Sequence, residues 1–299
     1  MPVKIIKMRV KSVSGNVQFM QDELKSFYPA TEIRQFVKIV FDHLAGFSTT
    51  DLLIKGDTEL DGEKIIFIED CVRRLKEYEP IQYILGETEF LDLKIKVNPA
   101  TLIPRPETEE LVMWVCEHIK DTGIKVLDIG TGSGCIALGI KSQKPDVVAE
   151  AWDVSREALH TAIENARIND LEVMFDEVDI LKFIPTDGHR AKYDVIISNP
   201  PYVRESEKQQ MEANVLNYEP HTALFVDDAD PLIFYREITE KAKVMLKNGG
   251  YLFFEINEAF GDEVKSVMSD AGFSNVELKK DLNGKYRMVR GRSDKRVNR

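Results

Sequence analysis

Two short stretches of this 299-residue chain bring together residue types whose spacing implies chemistry. The first, Val126-Leu127-Asp128-Ile129-Gly130-Thr131-Gly132-Ser133-Gly134, reads as a strand that passes through a glycine turn into a helix. Glycines there let the backbone reverse sharply and let a ligand reach main-chain atoms that a Cβ would shield. A dinucleotide loop of GxGxxG form would put its third glycine at position 135, but Cys135 stands there and the glycines run GxGxG, which points away from a pyrophosphate. Asp153, nineteen residues past Gly134 at the end of the next expected strand, offers a carboxylate for both ribose hydroxyls of a nucleoside. Asp179 and Ile180 follow a third strand and would set an acceptor and an apolar face beside an adenine, although an aspartate there also serves as a plain turn former.

The second stretch is Asn199-Pro200-Pro201-Tyr202, directly after the apolar run Asp194-Val195-Ile196-Ile197-Ser198. Its position is the carboxyl edge of an open sheet, where α/β folds bind ligands. Two prolines fix φ and remove two donors, so the turn is stiff and rich in acceptors, namely the Asn199 side-chain oxygen and the Pro200 carbonyl. A planar NH2 is a poor nucleophile because its lone pair is delocalised into the neighbouring π system. Two convergent acceptors hold its hydrogens, Tyr202 supplies a stacking face, and orientation alone lowers such a barrier by about 7–11 kcal/mol in favourable cases. The chemistry such a turn would serve is methyl transfer from a sulfonium nucleoside to that nitrogen; the bland alternative is a merely rigid loop, which the order of glycine loop, acid and turn disfavours.

The elements that must position these groups follow from periodicity. Apolar residues at spacings of three and four from about Asn16 to Glu79 predict helices, with Thr31, Ser48 to Thr50 and Asp61-Gly62 as their starts. Alternation through Ile81-Gln82-Tyr83-Ile84-Leu85-Gly86-Glu87-Thr88-Glu89-Phe90 and on to Val97 suits a hairpin turning near Gly86 or Asp92. Pro104-Arg105-Pro106-Glu107-Thr108-Glu109 opens a further helix. Strands are then expected at 125–129, 147–153, 171–176, 193–198 and 251–256 and near Val276 and Met288, with helices at 135–142, 156–169, 232–247 and 260–271 between them. Asn248-Gly249-Gly250 reads as a left-handed stop of the third of those helices. Strand and helix in alternation predict a parallel sheet covered on both faces. The expected domains are 1–79 helical, 80–103 a β-hairpin linker and 104–299 the catalytic α/β domain.

Composition removes several classes. A formal net charge of -11 and a sequence pI near 5.1 argue against a broad grip on nucleic acid, so direct DNA binding is not expected. The C-terminal basic run, Lys279, Lys280, Lys285, Arg287, Arg290, Arg292, Lys295, Arg296 and Arg299, is the local exception that could touch RNA or an acidic protein surface, and reads first as a solvated strand and frayed tail. Cys71, Cys116 and Cys135 have neither disulfide nor zinc spacing, the five histidines are scattered, and no metal site is expected. Neither a signal peptide at residues 1–10 nor a membrane-spanning run is read, which makes the expected location cytoplasmic.

Over nearly its whole length the chain resembles the release factor glutamine methyltransferases, the HemK or PrmC family. Besides the glycine loop and Asn199-Pro200-Pro201-Tyr202, the resemblance rests on Pro80-Ile81-Gln82-Tyr83-Ile84-Leu85-Gly86, Glu89-Phe90, Ile103-Pro104-Arg105-Pro106-Glu107-Thr108-Glu109, Tyr218-Glu219-Pro220 and Ala223-Leu224. It implies a seven-stranded class I S-adenosylmethionine-dependent methyltransferase (Rossmann-like) domain behind a helical domain that docks class 1 peptide chain release factors. It also implies methylation of the glutamine amide nitrogen in a Gly-Gly-Gln loop, with S-adenosyl-L-homocysteine as the product. By the same resemblance Gly130, Thr131, Gly132, Ser133 and Gly134 line the methionine portion of the cofactor, Asp153 takes the ribose, and Asp179 and Ile180 flank the adenine. Asn199 touches both cofactor and glutamine, and Pro200, Pro201 and Tyr202 complete the acceptor pocket. Asn257, where the family usually has glycine, and Ala229-Asp230-Pro231 depart from the pattern. The rivals are an adenine-N6 nucleic-acid methyltransferase, which would call for a basic recognition domain, and a binding module of the same fold without chemistry.

Overall fold

The computed structural model describes residues 11–294, so residues 1–10 and the basic positions Lys295, Arg296 and Arg299 lie outside the described residues. The chain divides into two compact units between Leu85 and Gly86. The first holds α1 (Val13–Leu24), α2 (Ala30–Ala45), α3 (Thr49–Ile54), α4 (Gly62–Lys76) and α5 (Ile81–Leu85) around Met20, Leu24, Val40, Phe41, Ile68 and Leu75. Ser48 and Asp51 form a capping box at α3, and the Asp61 side chain accepts from the Lys64 N–H at α4, as the sequence predicts. Thr31 is not a cap: α2 begins two residues earlier, behind Pro29, whose ring already fixes the entry angle at φ -62°. Residues 81–85 are helical rather than extended, because Ile81 and Ile84, three apart, both enter this core; five residues are too few to separate the two periods.

The second unit opens with the hairpin β1 (Glu87–Phe90) and β2 (Leu93–Lys96), turned at Leu91-Asp92 with φ of 47° and 63° and not at Gly86. Next come α6 (Pro106–His118), β3 (Lys125–Ile129), α7 (Cys135–Gln143), β4 (Val148–Asp153), α8 (Arg156–Ile168), β5 (Val173–Glu177) and β6 (Tyr193–Ser198). An excursion follows, β7 (Val203–Arg204), α9 (Ala213–Tyr218), α10 (His221–Leu224) and β8 (Phe225–Val226), before α11 (Ile233–Met245), β9 (Leu246–Glu255), α12 (Gly261–Asp270), β10 (Phe273–Lys280) and β11 (Tyr286–Ser293). The hairpin is fastened to α8: the Asn165 amide exchanges hydrogen bonds with the Lys96 N–H (2.7 Å) and carbonyl (3.0 Å), and Asn169 does the same at Lys94.

Seven strands form one sheet in the order β10-β11-β9-β6-β3-β4-β5. All neighbours from β9 to β5 pair in parallel, while β11 is antiparallel to both β9 and β10. This is the class I methyltransferase sheet that the resemblance implies. Asn248-Gly249-Gly250 does not stop a helix. The helix ends at Met245, and the glycines sit within β9 opposite a register shift against β6. Gly249 takes φ +82°, and a Cβ on Gly250 would lie 2.8 Å from the Asp194 carbonyl, so the pair is a bulge where two backbones approach closely.

Candidate active site

β3 and β6 are paired neighbours at the centre of the sheet, and their carboxyl ends carry the two motifs side by side. Ser198, buried at the last position of β6, donates through Oγ to the Ile129 carbonyl at 2.6 Å, which ties the two strand ends together immediately before Gly130 and Asn199. Past Ile129 the chain turns with Gly130 at φ 76°, Gly132 at 56° and Gly134 at 83°. A Cβ on Gly130 or Gly132 would meet nothing within 4 Å, whereas one on Gly134 would lie 3.1 Å from the Ala162 Cβ of α8. The first two glycines thus leave space above the backbone, and the third lets α7 and α8 pack.

A cavity of about 430 Å³ opens over these strand ends, within the range of small-molecule sites. Gly130, Thr131, Gly132, Ser133, Asp153, Asp179, Ile180, Asn199, Pro200 and Pro201 all line it; Gly134 and Tyr202 do not. Asp153 ends β4 with Oδ2 accepting from the Gly132 N–H (2.8 Å) and Oδ1 from the Ser155 N–H (2.9 Å). Each oxygen keeps a second lone pair, so the held carboxylate still suits a diol; burial raises its pKa. Asp179 is paired with Lys182 (2.7 Å) and accepts from the Leu181 N–H, which keeps its carboxyl below the ordinary range. Leu102, Ile129, Ile136, Val154, Ile180 and Leu181 make the wall largely apolar. Open space over two glycines and an anchored acid suit a nucleoside carrying an amino-acid tail.

Tyr202 is placed differently from the stacking role read in the sequence. Its ring packs against the core below the turn and its hydroxyl donates to Glu255 Oε1 at 3.2 Å. The aromatic groups on the cavity wall are Phe225 and Phe234. Glu255, the last residue of β9 and only 1% exposed, also accepts at Oε2 from the Thr108 hydroxyl (2.7 Å), and Thr108 in turn receives Asn199 Nδ2 at 3.4 Å. Burial pushes the Glu255 pKa up, with the Thr108 and Tyr202 hydroxyls and the Arg287 charge opposing it. Sequence reasoning missed Thr108, Arg105 and Glu255 as site residues. Thr108 and Arg105 fall in a segment singled out for resemblance, but the pairing of Thr108 with Glu255 spans 147 positions and leaves no local signal.

A second buried carboxylate closes the other side. Glu219, 3% exposed between α9 and α10, accepts from the Ile103 N–H at 3.1 Å and pairs with the Arg105 guanidinium. Thr222, Ala223 and Phe225, which follow it, line the cavity. The excursion is thereby fastened across the mouth of the site to the turn that starts α6.

Asp128, fully buried in β3, has its carboxyl pushed up to about 7 by loss of solvation, and Oδ1 has no side-chain partner. A raised folded pKa contributes stability that is present below the ordinary value near 3.8 and lost as pH rises through about 7. Asp128→Asn, which keeps an acceptor for the Thr131 hydroxyl, is therefore expected to gain stability over the native chain as pH goes from 5 to 8, by roughly 1–4 kcal/mol at the upper end. Urea unfolding at a series of pH values, without ligand, measures the difference; a constant offset would contradict it.

Residues 111–224 match the family model described as the methyltransferase small domain, and residues 19–86 match the PrmC N-terminal domain. The release factor glutamine methyltransferase of Flavobacterium psychrophilum is 46% identical over 91% of this chain and 96% of its own length. That of Bacteroides thetaiotaomicron is 41% identical over 91% and 96%. Among solved structures, a methyltransferase from Pyrococcus furiosus is 21% identical, with a TM-score of 0.50 over 68% of this chain and 89% of that one, a likeness of fold.

Proposed function

The chain belongs to the release factor glutamine methyltransferase family, and from that premise we propose that it methylates the side-chain amide nitrogen of the glutamine in the Gly-Gly-Gln loop of class 1 peptide chain release factors. S-adenosylmethionine supplies an electrophilic methyl group on sulfur. The observation that carries the reading is the shared cavity: Asn199, Pro200 and Pro201 border the same space as Gly130 to Ser133 and Asp153.

In this reading Asp153 holds the ribose hydroxyls, Gly130 to Ser133 border the methionine portion, and Ile180 lies along the adenine with Asp179 at its edge. The Nδ2 of Asn199 faces Thr108, so its Oδ1 faces elsewhere and, with the Pro200 carbonyl, accepts the two hydrogens of the glutamine NH2. Both acceptors pull on N–H bonds and leave the nitrogen lone pair aimed at the methyl carbon. The apolar walls exclude water that would compete for those hydrogens. Proline at both following positions keeps the turn from relaxing when the amide enters.

The helical unit is proposed to dock the release factor. Its match to the PrmC N-terminal domain supports this. Among the described residues no helix is long and apolar enough to cross a membrane, and we propose a cytoplasmic location beside the translation machinery. Adenine-N6 methylation is not favoured: the relatives are named for glutamine methylation and the chain carries a net charge of -11. The test is a transfer assay with labelled S-adenosylmethionine and a release factor, its Gln→Ala variant, or DNA. Label on the native release factor only is expected; label on DNA alone would overturn the assignment.

A further inference from the structure

The Asn199-Pro200-Pro201-Tyr202 turn is attached at both ends to one carboxylate. Glu255 takes the Tyr202 hydroxyl on Oε1 and the Thr108 hydroxyl on Oε2, and Thr108 meets the Asn199 amide. An asparagine amide has two ends of nearly equal size, one donating and one accepting, and packing alone does not choose between them. The choice here is made by proton counting. Both Glu255 oxygens accept a hydroxyl, as an ionised carboxylate does, and with Glu255 ionised the Thr108 hydroxyl hydrogen is committed to Oε2, so that toward Asn199 the hydroxyl has only lone pairs to offer. The donating end of Asn199 must then face Thr108, and the accepting end must face away.

Resting on the functional reading above, we propose that Glu255 and Thr108 are positioning residues that set the orientation of the Asn199 amide, and so decide that an acceptor rather than a donor meets the incoming glutamine NH2. The placement supports this independently of sequence order. Thr108 lies in the first turn of α6 and Glu255 at the end of β9, so a helix and a strand hold the pair, and no mobile loop is involved. The Asn257 side chain donates to the Tyr202 carbonyl at 3.3 Å, and the Tyr235 hydroxyl to the Glu255 carbonyl at 3.1 Å, which fixes the backbone on either side of the carboxylate. Thr108 and Glu255 are 2% and 1% exposed, so bulk water does not replace a lost hydroxyl. With the relay removed, the amide is free to rotate by half a turn. In the flipped state its NH2 opposes the NH2 of the substrate, and the nitrogen loses one of its two acceptors. Gly130 to Ser133 and Asp153, the residues proposed to hold the cofactor, lie outside the relay.

The experiment compares full-length native protein, Thr108→Val, Thr108→Ser and Glu255→Gln for release-factor methylation and for S-adenosylmethionine affinity by calorimetry. Valine keeps the shape of threonine without the hydroxyl; serine keeps the hydroxyl. Thr108→Val is expected to lower kcat by about 10- to 100-fold with cofactor Kd changed less than about threefold. Thr108→Ser is expected to recover to within about threefold of native. Glu255→Gln cannot accept from both hydroxyls at once, and is expected to lower kcat as Thr108→Val does, with Thr108→Val/Glu255→Gln no worse than either alone. The relay is overturned if Thr108→Val keeps native kcat, if Thr108→Ser is as impaired as Thr108→Val, or if kcat and cofactor affinity fall together. Native protein that transfers no methyl to the release factor would instead overturn the functional reading, and the relay with it.

Discussion

Replacing Asn199 by alanine is expected to bring release-factor methylation to near the floor of the assay, a fall of roughly 10³-fold in kcat, while cofactor affinity weakens by less than about tenfold. Asn199 borders the cavity at the last position before two prolines, and neither of the other turn residues that border it, Pro200 and Pro201, has a side-chain acceptor. An unheld amide nitrogen keeps its lone pair in conjugation with its carbonyl and has no preferred approach to the methyl carbon. The Ser198 hydrogen bond to Ile129 and the β3–β6 pairing do not depend on Asn199, so the cofactor half of the cavity stays formed. Single-turnover methylation with labelled cofactor, alongside calorimetric binding of S-adenosylhomocysteine, separates the two effects. Affinity falling in step with rate would mean that Asn199 holds the cofactor and not the acceptor.

The second large effect belongs to Asp153. Asp153→Ala removes a buried acceptor proposed to hold both ribose hydroxyls, and hydrogen bonds to a charged group are worth about 1.5–3 kcal/mol each. The expected result is a rise of about 10²-fold or more in the Kd for S-adenosylmethionine and for S-adenosylhomocysteine. Part of this arises inside the protein, because the Gly132 N–H loses the oxygen it meets at 2.8 Å and the glycine turn loosens. Asp153→Asn keeps the shape and one acceptor, so its loss is smaller, about tenfold. Methylation at saturating cofactor recovers most of the native rate in both variants, the converse of Asn199→Ala. A change in Kd below threefold for Asp153→Ala would remove Asp153 from the binding site.

Much of this arrangement was legible in the chain because its signals are local. Gly130 to Ser133, Asp153 and Asn199 to Pro201 each sit at the end of a strand that its own apolar run announces, and parallel strands bring their carboxyl ends to one edge by construction. The illegible part depends on partners distant in sequence. Thr108 and Glu255 meet only because α6 lies against the end of β9. The direction of the Tyr202 side chain is likewise set by that buried carboxylate and not by its own turn, so a tyrosine that reads as a stacking platform is tied to the core. Gly249-Gly250 has the composition of a helix stop, yet the same freedom of φ serves a strand bulge, and pairing with β6 decides which. The hairpin turn offered two positions in the sequence, Gly86 and Asp92, and the pairing of Phe90 with Leu93 selects Leu91-Asp92, a left-handed turn without glycine.

The Ser198 hydroxyl that joins the ends of β3 and β6 bears on how such a site diversifies. The helical unit proposed to dock the partner and the excursion between β7 and β8 both lie outside the seven-stranded sheet. The two motifs leave the ends of neighbouring strands, whose spacing of about 4.8 Å is set by backbone pairing and not by surface residues. The outer segments can therefore vary in length and sequence while the spacing between the two motifs stays fixed by the sheet.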